Sequence, residues 1–246
     1  MRRGLISRNV ALVANAPRLR SIPKVEQQAW TAEQLQAFLR AAAGQRLFPA
    51  LWLAANTGMR RNELLGLQWS DVDFNKARLA VNRSVIAVGY ELHQTRGKTD
   101  NARRSTDLDP TTVTVLRGWQ ALQSAEFAAV GIDDHGWIFT DPDGHPVHPH
   151  AISQAFERIA RRAGVPVIRL HDLRHTHGTL LIKEGVPVKV VSERLGHANI
   201  AFTYQHALPG MQADAADTCR ALLAPAVLPT KRKPVERREN RRRNTA

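Results

Sequence analysis

His-Asp-Leu-Arg-His-Thr, residues His171–Thr176, is the most informative stretch of this chain. Leu-Gly-His (Leu195–His197) and Tyr204 follow it, and Thr-Gly-Met-Arg-Arg-Asn-Glu-Leu-Leu-Gly-Leu (Thr57–Leu67) supplies further arginines upstream. Two guanidiniums can grip the non-bridging oxygens of a phosphodiester and stabilise the extra charge of a five-coordinate transition state. Histidines can move a proton near neutral pH, and a tyrosine hydroxyl can act as a nucleophile. This set of residues therefore indicates attack on a phosphodiester.

The spacing within this stretch favours a helix with one chemically active face. His171 and Arg174 are three positions apart, so their side chains would lie on the same side of a helix. Asp172, at the start of that helix, can cap it or interact favourably with its dipole. Arg60 follows Thr-Gly-Met at another predicted helix start, where a positive charge is slightly unfavourable. Binding of an anion by Arg60 explains that placement better than an ordinary surface arginine does.

The charge of the chain points to a polyanionic partner. Its 246 residues carry 35 Lys and Arg against 22 Asp and Glu, a net charge of +13. Such an excess favours nucleic acid first and an anionic membrane surface second. No apolar run approaches the length of a membrane span, so a membrane role is not expected. A single cysteine excludes an internal disulfide and fits a reducing compartment.

The local patterns predict a mainly helical domain with one small sheet. Thr31 with Gln34 three residues later is a capping-box pattern, and Asp109-Pro110 is a typical helix start. A change to alternating and β-branched residues predicts a three-stranded antiparallel sheet, with strands near 78–86, 90–95 and 103–108. Trp137–Thr140 is predicted as a further short strand. Later helices are expected near 149–163, 171–184 and 187–195.

Together the motifs resemble the tyrosine recombinase family, also called phage integrases, over about residues 30–216. The family signature is an arginine after a Thr-Gly turn, a lysine in a β-hairpin, His-x-x-Arg, Leu-Gly-His and a tyrosine shortly afterwards. Each element occurs here in that order. Any one of them arises easily by chance, whereas all of them in order are a specific match. The resemblance implies the family's catalytic domain, an α+β, mainly helical fold with a small three-stranded antiparallel sheet.

The resemblance also implies a role for each matching residue. The two arginines would bind the scissile phosphate, the histidines would assist by acid–base chemistry and hydrogen bonding, and the tyrosine would form a 3′-phosphotyrosine link. The hairpin lysine would protonate the departing 5′ oxygen, although nearby Arg96 or Arg103 could contact the DNA backbone instead. Glu63 is expected to support the first arginine, and Asp172 to act in the same indirect way. The implied catalytic residues are Arg60, Lys98, His171, Arg174, His197 and Tyr204.

The implied partner is double-stranded DNA. Full recombination implies a homo-tetramer acting on two duplexes, with an accessory excision factor as an optional further partner. No cofactor and no metal ion are implied, because the covalent link retains the energy of the broken bond. Such a protein would act in the bacterial cytoplasm, associated with the nucleoid. The DNA target, and whether the natural element is a phage, a plasmid or a genomic island, are left open.

Two departures from the family pattern motivate a second hypothesis. Only six residues separate His197 from Tyr204, fewer than is usual, and residues 1–28 are not expected to form the helical domain that precedes the catalytic one in the family. Residues 1–28 are therefore interpreted as a linker or the remnant of a missing N-terminal DNA-binding domain, 29–224 as the catalytic domain, and 225–246 as a basic, disordered tail. The alternative is a truncated, catalytically impaired recombinase that only binds DNA.

A third hypothesis is a metal-dependent hydrolase. It is prompted by ten histidines, including the pairs His148-x-His150 and His175-x-His177. Alternate spacing places two side chains on one face of a strand but not of a helix, and no cluster of acidic ligands accompanies them. The residue pattern thus favours phosphotyrosine chemistry over metal-assisted hydrolysis.

Overall fold

A computed structural model describes residues 28–89, 91–96 and 104–197. Within them the helices are α1 (Ala32–Ala42), α2 (Phe48–Thr57), α3 (Arg61–Leu65), α4 (Pro110–Val130), α5 (Pro149–Arg162), α6 (Leu170–Lys183) and α7 (Val188–Leu195). The strands are β1 (Val72–Asp73), β2 (Arg78–Val81), β3 (Arg83–Val88), β4 (Glu91–Arg96) and β5 (Arg104–Asp107). In this described part, none of the helices combines the length and apolar character needed to cross a membrane.

Two helix starts follow the local signals in the sequence. The Thr31 hydroxyl accepts the backbone N–H of Gln34, and the Gln34 side chain accepts the backbone N–H of Thr31. This is the reciprocal arrangement of a capping box, as predicted. The carboxylate of Asp109 accepts the N–H of Thr112 at 3.0 Å, and Pro110 occupies the first turn of α4. Both signals involve residues within three positions of each other, which is why the sequence reveals them.

The core is centred on α2 and on an aromatic cluster beside it. Trp30, Phe38 and Phe156 have ring centroids 4.8–5.3 Å apart and tie the start of the domain to α1 and α5. The backbone N–H of Trp30 also donates to the Thr176 hydroxyl on α6 at 3.0 Å. Helix α2 is apolar on nearly all faces and packs against α1, α4 and α6. Its carboxyl end is therefore fixed deep in the domain.

The predicted three-stranded antiparallel sheet is confirmed, but its strands differ in detail. It has the order β1-β2-β5, while β3 and β4 form a separate antiparallel hairpin. The prediction of one strand over 78–86 was wrong, because the chain leaves the first sheet at Asn82 and enters the hairpin at Arg83. The buried carboxylate of Asp71 accepts from the Asn82 amide at 2.9 Å and from the Arg83 guanidinium at 2.6 Å. These two bonds fix residues 82 and 83, where the chain passes from the sheet into the hairpin.

The short strand predicted over Trp137–Thr140 was also wrong. Only isolated bridges form there, from Trp137 to Gln68 and from Thr140 to Pro146. The predicted linker falls almost entirely outside the described residues, and the predicted basic tail lies wholly outside them. The division of the chain into those segments therefore stays a prediction.

Candidate active site

The first turn of α6 presents the residues of the His-x-x-Arg motif. The carboxylate of Asp172 accepts the backbone N–H of Arg169 at 3.0 Å and the Arg169 guanidinium at 2.7 Å. Burial alone would raise the pKa of Asp172, but these hydrogen bonds from Arg169 hold it below its usual range. Asp172 is thus a buried, ionised helix cap that fixes where α6 begins, and with it the direction of His171 and Arg174.

Arg174 is a buried cation at the centre of the site. Only 4% of the residue is exposed, and its Nη1 donates to the backbone carbonyl of Gly58 at 2.9 Å. Its Nη2 is buried and has no hydrogen-bond partner among the described residues. Burial, followed by the positive charges of Arg60 and Arg104, lowers the pKa of Arg174 to about 9. The guanidinium is still charged at neutral pH. A bound anion would offset the repulsion between it and the positive charges of Arg60 and Arg104.

Arg60 lies at the N-cap of α3, two residues after Gly58. Glu63 accepts its backbone N–H at 3.0 Å and its guanidinium at 2.7 Å. Its Nη2 also donates to the carbonyl of Gly196 at 3.3 Å. The side chain is 40% exposed, so it is oriented by these bonds while its outer edge faces solvent. Residues 58–60 therefore contribute to both arginine positions, because the turn carries Arg60 and its Gly58 carbonyl binds Arg174.

Glu63 is the buried anion that balances the cluster. Besides Arg60, it accepts two bonds from Arg104, at 2.8 and 3.2 Å, in the bidentate arrangement that favours arginine over lysine. Burial would raise the pKa of Glu63, but the hydrogen bonds and charge of Arg104, then of Arg60, overcome it and hold the pKa at about 2. The carboxylate stays ionised and holds the guanidiniums of Arg60 and Arg104 by hydrogen bonds and charge.

Replacing Glu63 with glutamine is expected to flatten the dependence of stability on acid pH. The folded-state pKa of about 2 lies below the ordinary 4.5, so the stabilising contribution is complete above pH 4.5 and is lost as pH falls towards 2. A shift of this size corresponds to on the order of 3 kcal/mol. Urea unfolding at pH 3 to 7 measures it. Glu157→Gln, at a partly exposed glutamate paired with Arg161, should keep the wild-type pH profile. An equal flattening in that variant would contradict the role assigned to Glu63.

Gly196 brings the Leu-Gly-His motif to the same cluster. It ends α7 in the left-handed conformation at φ 66°, and the N–H of His197 returns to the carbonyl of Ser192 at 3.0 Å. The Gly196 carbonyl accepts from Arg60. His197 therefore emerges from a closed helix end beside the first arginine.

The histidines of α6 divide into an exposed and a buried group. His171 is exposed and meets His175 edge-on, with ring centroids 5.2 Å apart. Desolvation by its surroundings and the charge of Arg174 lower the pKa of His171, so its imidazole is neutral at pH 7 and can accept a proton. His177 is buried between the Ala55 carbonyl and the Arg194 guanidinium, and burial lowers its pKa to about 4. It packs α6 against α2 rather than facing solvent.

Of the residues described above, Arg60, Glu63, Arg169 and His171 border an open cleft of about 650 Å³. Three arginines line it, Arg60, Arg61 and Arg169, together with His171, the hydroxyls of Ser84 and Ser153 and the carboxylates of Glu63 and Glu157. The guanidinium of Arg61 reaches across to the Ser153 hydroxyl at 3.0 Å. With three arginines against two glutamates, the cleft carries a small excess of positive charge and is open to an anionic ligand.

The structure places most of the predicted site residues in this one region. It brings together Arg60, Glu63, Asp172, Arg174 and the turn before His197, with His171 at the cleft. Lys98 and Tyr204 lie outside the described residues. Sequence reasoning missed Arg104, which sits in a basic stretch without distinctive spacing.

The His-x-His pairs take structural positions. His148 caps α5, its Nδ1 accepting the N–H of His150 at 3.1 Å, and the second pair lies on α6. Among residues 28–89, 91–96 and 104–197, no group of three or more His, Cys, Asp or Glu side chains is arranged to hold a metal ion.

Comparison with known sequences extends the match to most of the chain. The sequence model of the phage integrase family matches residues 28–208. The chain is 32% identical over 216 residues to a protein named "Tyrosine recombinase XerC-like" from Caldanaerobacter subterraneus subsp. tengcongensis, covering 81% of this chain and 55% of that protein. It is 30% identical to the ICEBs1 integrase of Bacillus subtilis, covering 79% and 54%. The chain thus spans about half the length of these curated relatives.

Solved structures show the same fold. The Tn1549 transposon integrase in complex with transposon right end DNA superposes with a TM-score of 0.71 at 20% identity, covering 89% of this chain and 71% of that one. XerA recombinase gives a TM-score of 0.64 at 21% identity, covering 80% and 67%. At these identities the likeness establishes the architecture.

Proposed function

The chain belongs to the phage integrase family of tyrosine recombinases, and from this membership we propose that it cleaves and rejoins DNA strands at specific sites through a covalent 3′-phosphotyrosine intermediate. The observation that carries the proposal is the paired-arginine site. Arg60 is held by Glu63 and the Gly196 carbonyl, Arg174 is held by the Gly58 carbonyl, and the buried Nη2 of Arg174 has no partner among the described residues. Two fixed guanidiniums are suited to a phosphodiester and to the charge it gains in the transition state.

The chemical steps follow from the proposed residues. The Tyr204 oxygen attacks the scissile phosphorus, a tyrosine O–P bond forms, and the P–O5′ bond breaks. The tyrosine proton leaves with help from neutral His171, and Lys98 delivers a proton to the departing 5′ oxygen. Arg60, Arg174 and His197 bind the non-bridging oxygens. Attack by a 5′ hydroxyl of the same or a partner strand reverses the steps and reseals the DNA.

Double-stranded DNA is the proposed partner. The net charge of +13 and the basic, open cleft support it, since neutralised phosphates dominate the affinity of proteins for DNA. For complete recombination we assign a homo-tetramer on two duplexes, assisted in excision by an accessory factor. The proposed setting is the bacterial cytoplasm, at the nucleoid. The covalent link conserves bond energy, so the proposed reaction calls for no cofactor.

The test is a nicked duplex that traps the cleaved state, with candidate attachment sequences taken from DNA flanking the gene. A protein–DNA adduct on a denaturing gel is the expected result. Tyr204→Phe should abolish it, and Tyr90→Phe, at the only other tyrosine of the chain, should retain it. An adduct that survives Tyr204→Phe would refute the assigned nucleophile.

The short interval between His197 and Tyr204 gives a second arm to the same experiment. DNA binding without an adduct would support a recombinase that only binds DNA. Recovery of the adduct after insertion of three residues before Tyr204 would then locate the fault in that interval, because a shift of about an ångström is enough to slow an in-line attack strongly.

A further inference from the structure

Arg104, at the start of β5, is a buried arginine whose guanidinium is bonded entirely within the protein. Its side chain is 7% exposed. Nη1 and Nη2 donate to the two oxygens of Glu63, and Nε donates to the carbonyl of Arg194 at 3.1 Å. Each side-chain nitrogen thus has a partner within the protein. Such a residue is poorly placed to hold a DNA phosphate itself.

The turn that ends α7 rests on this side chain. A Cβ added at Gly196 would lie 2.9 Å from Cδ of Arg104 and 3.1 Å from its Nη1, so a larger residue would have to displace the Arg104 side chain. On its other side, the Gly196 carbonyl accepts from Arg60. The backbone just before His197 is therefore held between two arginines, and both of them are bonded to Glu63.

We infer that Arg104 is a positioning residue for strand cleavage, which holds the Leu195–His197 turn in register with Arg60 through the shared carboxylate of Glu63. This inference rests on the proposed function. The fork geometry is essential, because Arg104 must bond two carboxylate oxygens and a backbone carbonyl at once. Lysine, with one nitrogen at the end of a flexible chain, keeps the charge but not this arrangement.

The experiment compares Arg104→Lys and Arg104→Gln in the full chain. Single-turnover cleavage of the nicked duplex and affinity for the intact duplex are measured separately. Displacement of a phosphate-binding group by about an ångström costs up to about 100-fold in rate, so we expect a 10- to 100-fold slower cleavage and an affinity within about threefold of wild type. Arg46→Lys is the matched control, because Arg46 pairs with Glu126 on α4, an element that supplies none of the proposed site residues.

A second readout separates positioning from general stability. Imidazole NMR signals, assigned with a His197→Gln variant, should shift for His197 in Arg104→Lys while the signals of the buried His177 are retained. A folded Arg104→Lys protein with the wild-type rate and an unchanged His197 signal would overturn the inference. Equal losses in rate and affinity would overturn it too, since they would make Arg104 a DNA ligand.

The spectra also keep the two proposals distinguishable. If wild-type protein forms no adduct, the proposed activity fails, but the His197 signal still reports whether Arg104 fixes the turn. An unchanged signal then refutes the positioning role, and a shifted signal supports it independently of catalysis.

Discussion

Replacement of Arg174 by lysine is expected to slow strand cleavage by about 10²- to 10³-fold, the usual cost of removing one preorganised donor from a developing oxyanion. The native guanidinium uses Nη1 to reach the Gly58 carbonyl, and in the proposed mechanism Nη2, which has no partner among the described residues, donates to the phosphate. A lysine ammonium cannot serve both directions in this fixed geometry. Single-turnover rates on the nicked duplex measure the effect, and Arg117→Lys on the exposed face of α4 serves as the control.

The same position should show a conflict between activity and stability. The lowered pKa of Arg174 means that the fold disfavours its charge. Taking one charged group out of water costs on the order of several kcal/mol, and a methionine of similar length avoids that cost. We therefore expect Arg174→Met to abolish cleavage without lowering the free energy of unfolding. A clear loss of stability, measured by urea unfolding, would show that the Gly58 bond outweighs the charge repulsion.

Replacement of Gly58 by alanine is expected to lower the free energy of unfolding by about 2–4 kcal/mol, from left-handed strain and overpacking together. Gly58 has φ +63°, and an added Cβ would lie 2.5 Å from Leu195 and 2.8 Å from His177. Relief of that clash must displace the buried side chains of Leu195 on α7 and His177 on α6. Thermal and urea unfolding measure the effect.

Gly131 provides the matched control for this effect. It also ends a helix in the left-handed conformation, at φ +70°, but nothing lies within 4 Å of an added Cβ. Gly131→Ala should therefore cost only the backbone strain, about 1 kcal/mol. If the two substitutions cost the same, close packing at Gly58 plays no part in stability.

The sequence predicts those parts of the fold that depend on neighbouring residues. Thr31 with Gln34, and Asp109 with Pro110, define helix starts through bonds that span three positions. The arginines Arg60 and Arg174 are likewise recognisable from their immediate neighbours in sequence, Thr-Gly-Met before the first and His171 three positions before the second. The catalytic roles of all the proposed site residues stay predictions, and Lys98 and Tyr204 also lie outside the described residues.

What the sequence does not reveal depends on distant partners. The strand break at Asn82 is held by Asp71, whose side chain approaches only when the chain has folded. Arg104 looks like one more charge in a basic stretch, and its importance comes from Glu63, 41 positions away, and from Gly196 on another element. Neither relationship leaves a periodic pattern.

The bonds that assemble the paired-arginine site also govern when during synthesis it can exist. Gly58 and Arg174 are 116 residues apart, and Arg60 and Gly196 are 136 apart. A chain growing on the ribosome carries its first arginine long before the second has been translated, and domains generally fold as units. On the proposed mechanism, an unfinished or prematurely terminated chain is therefore unable to cut the chromosome, however basic it is.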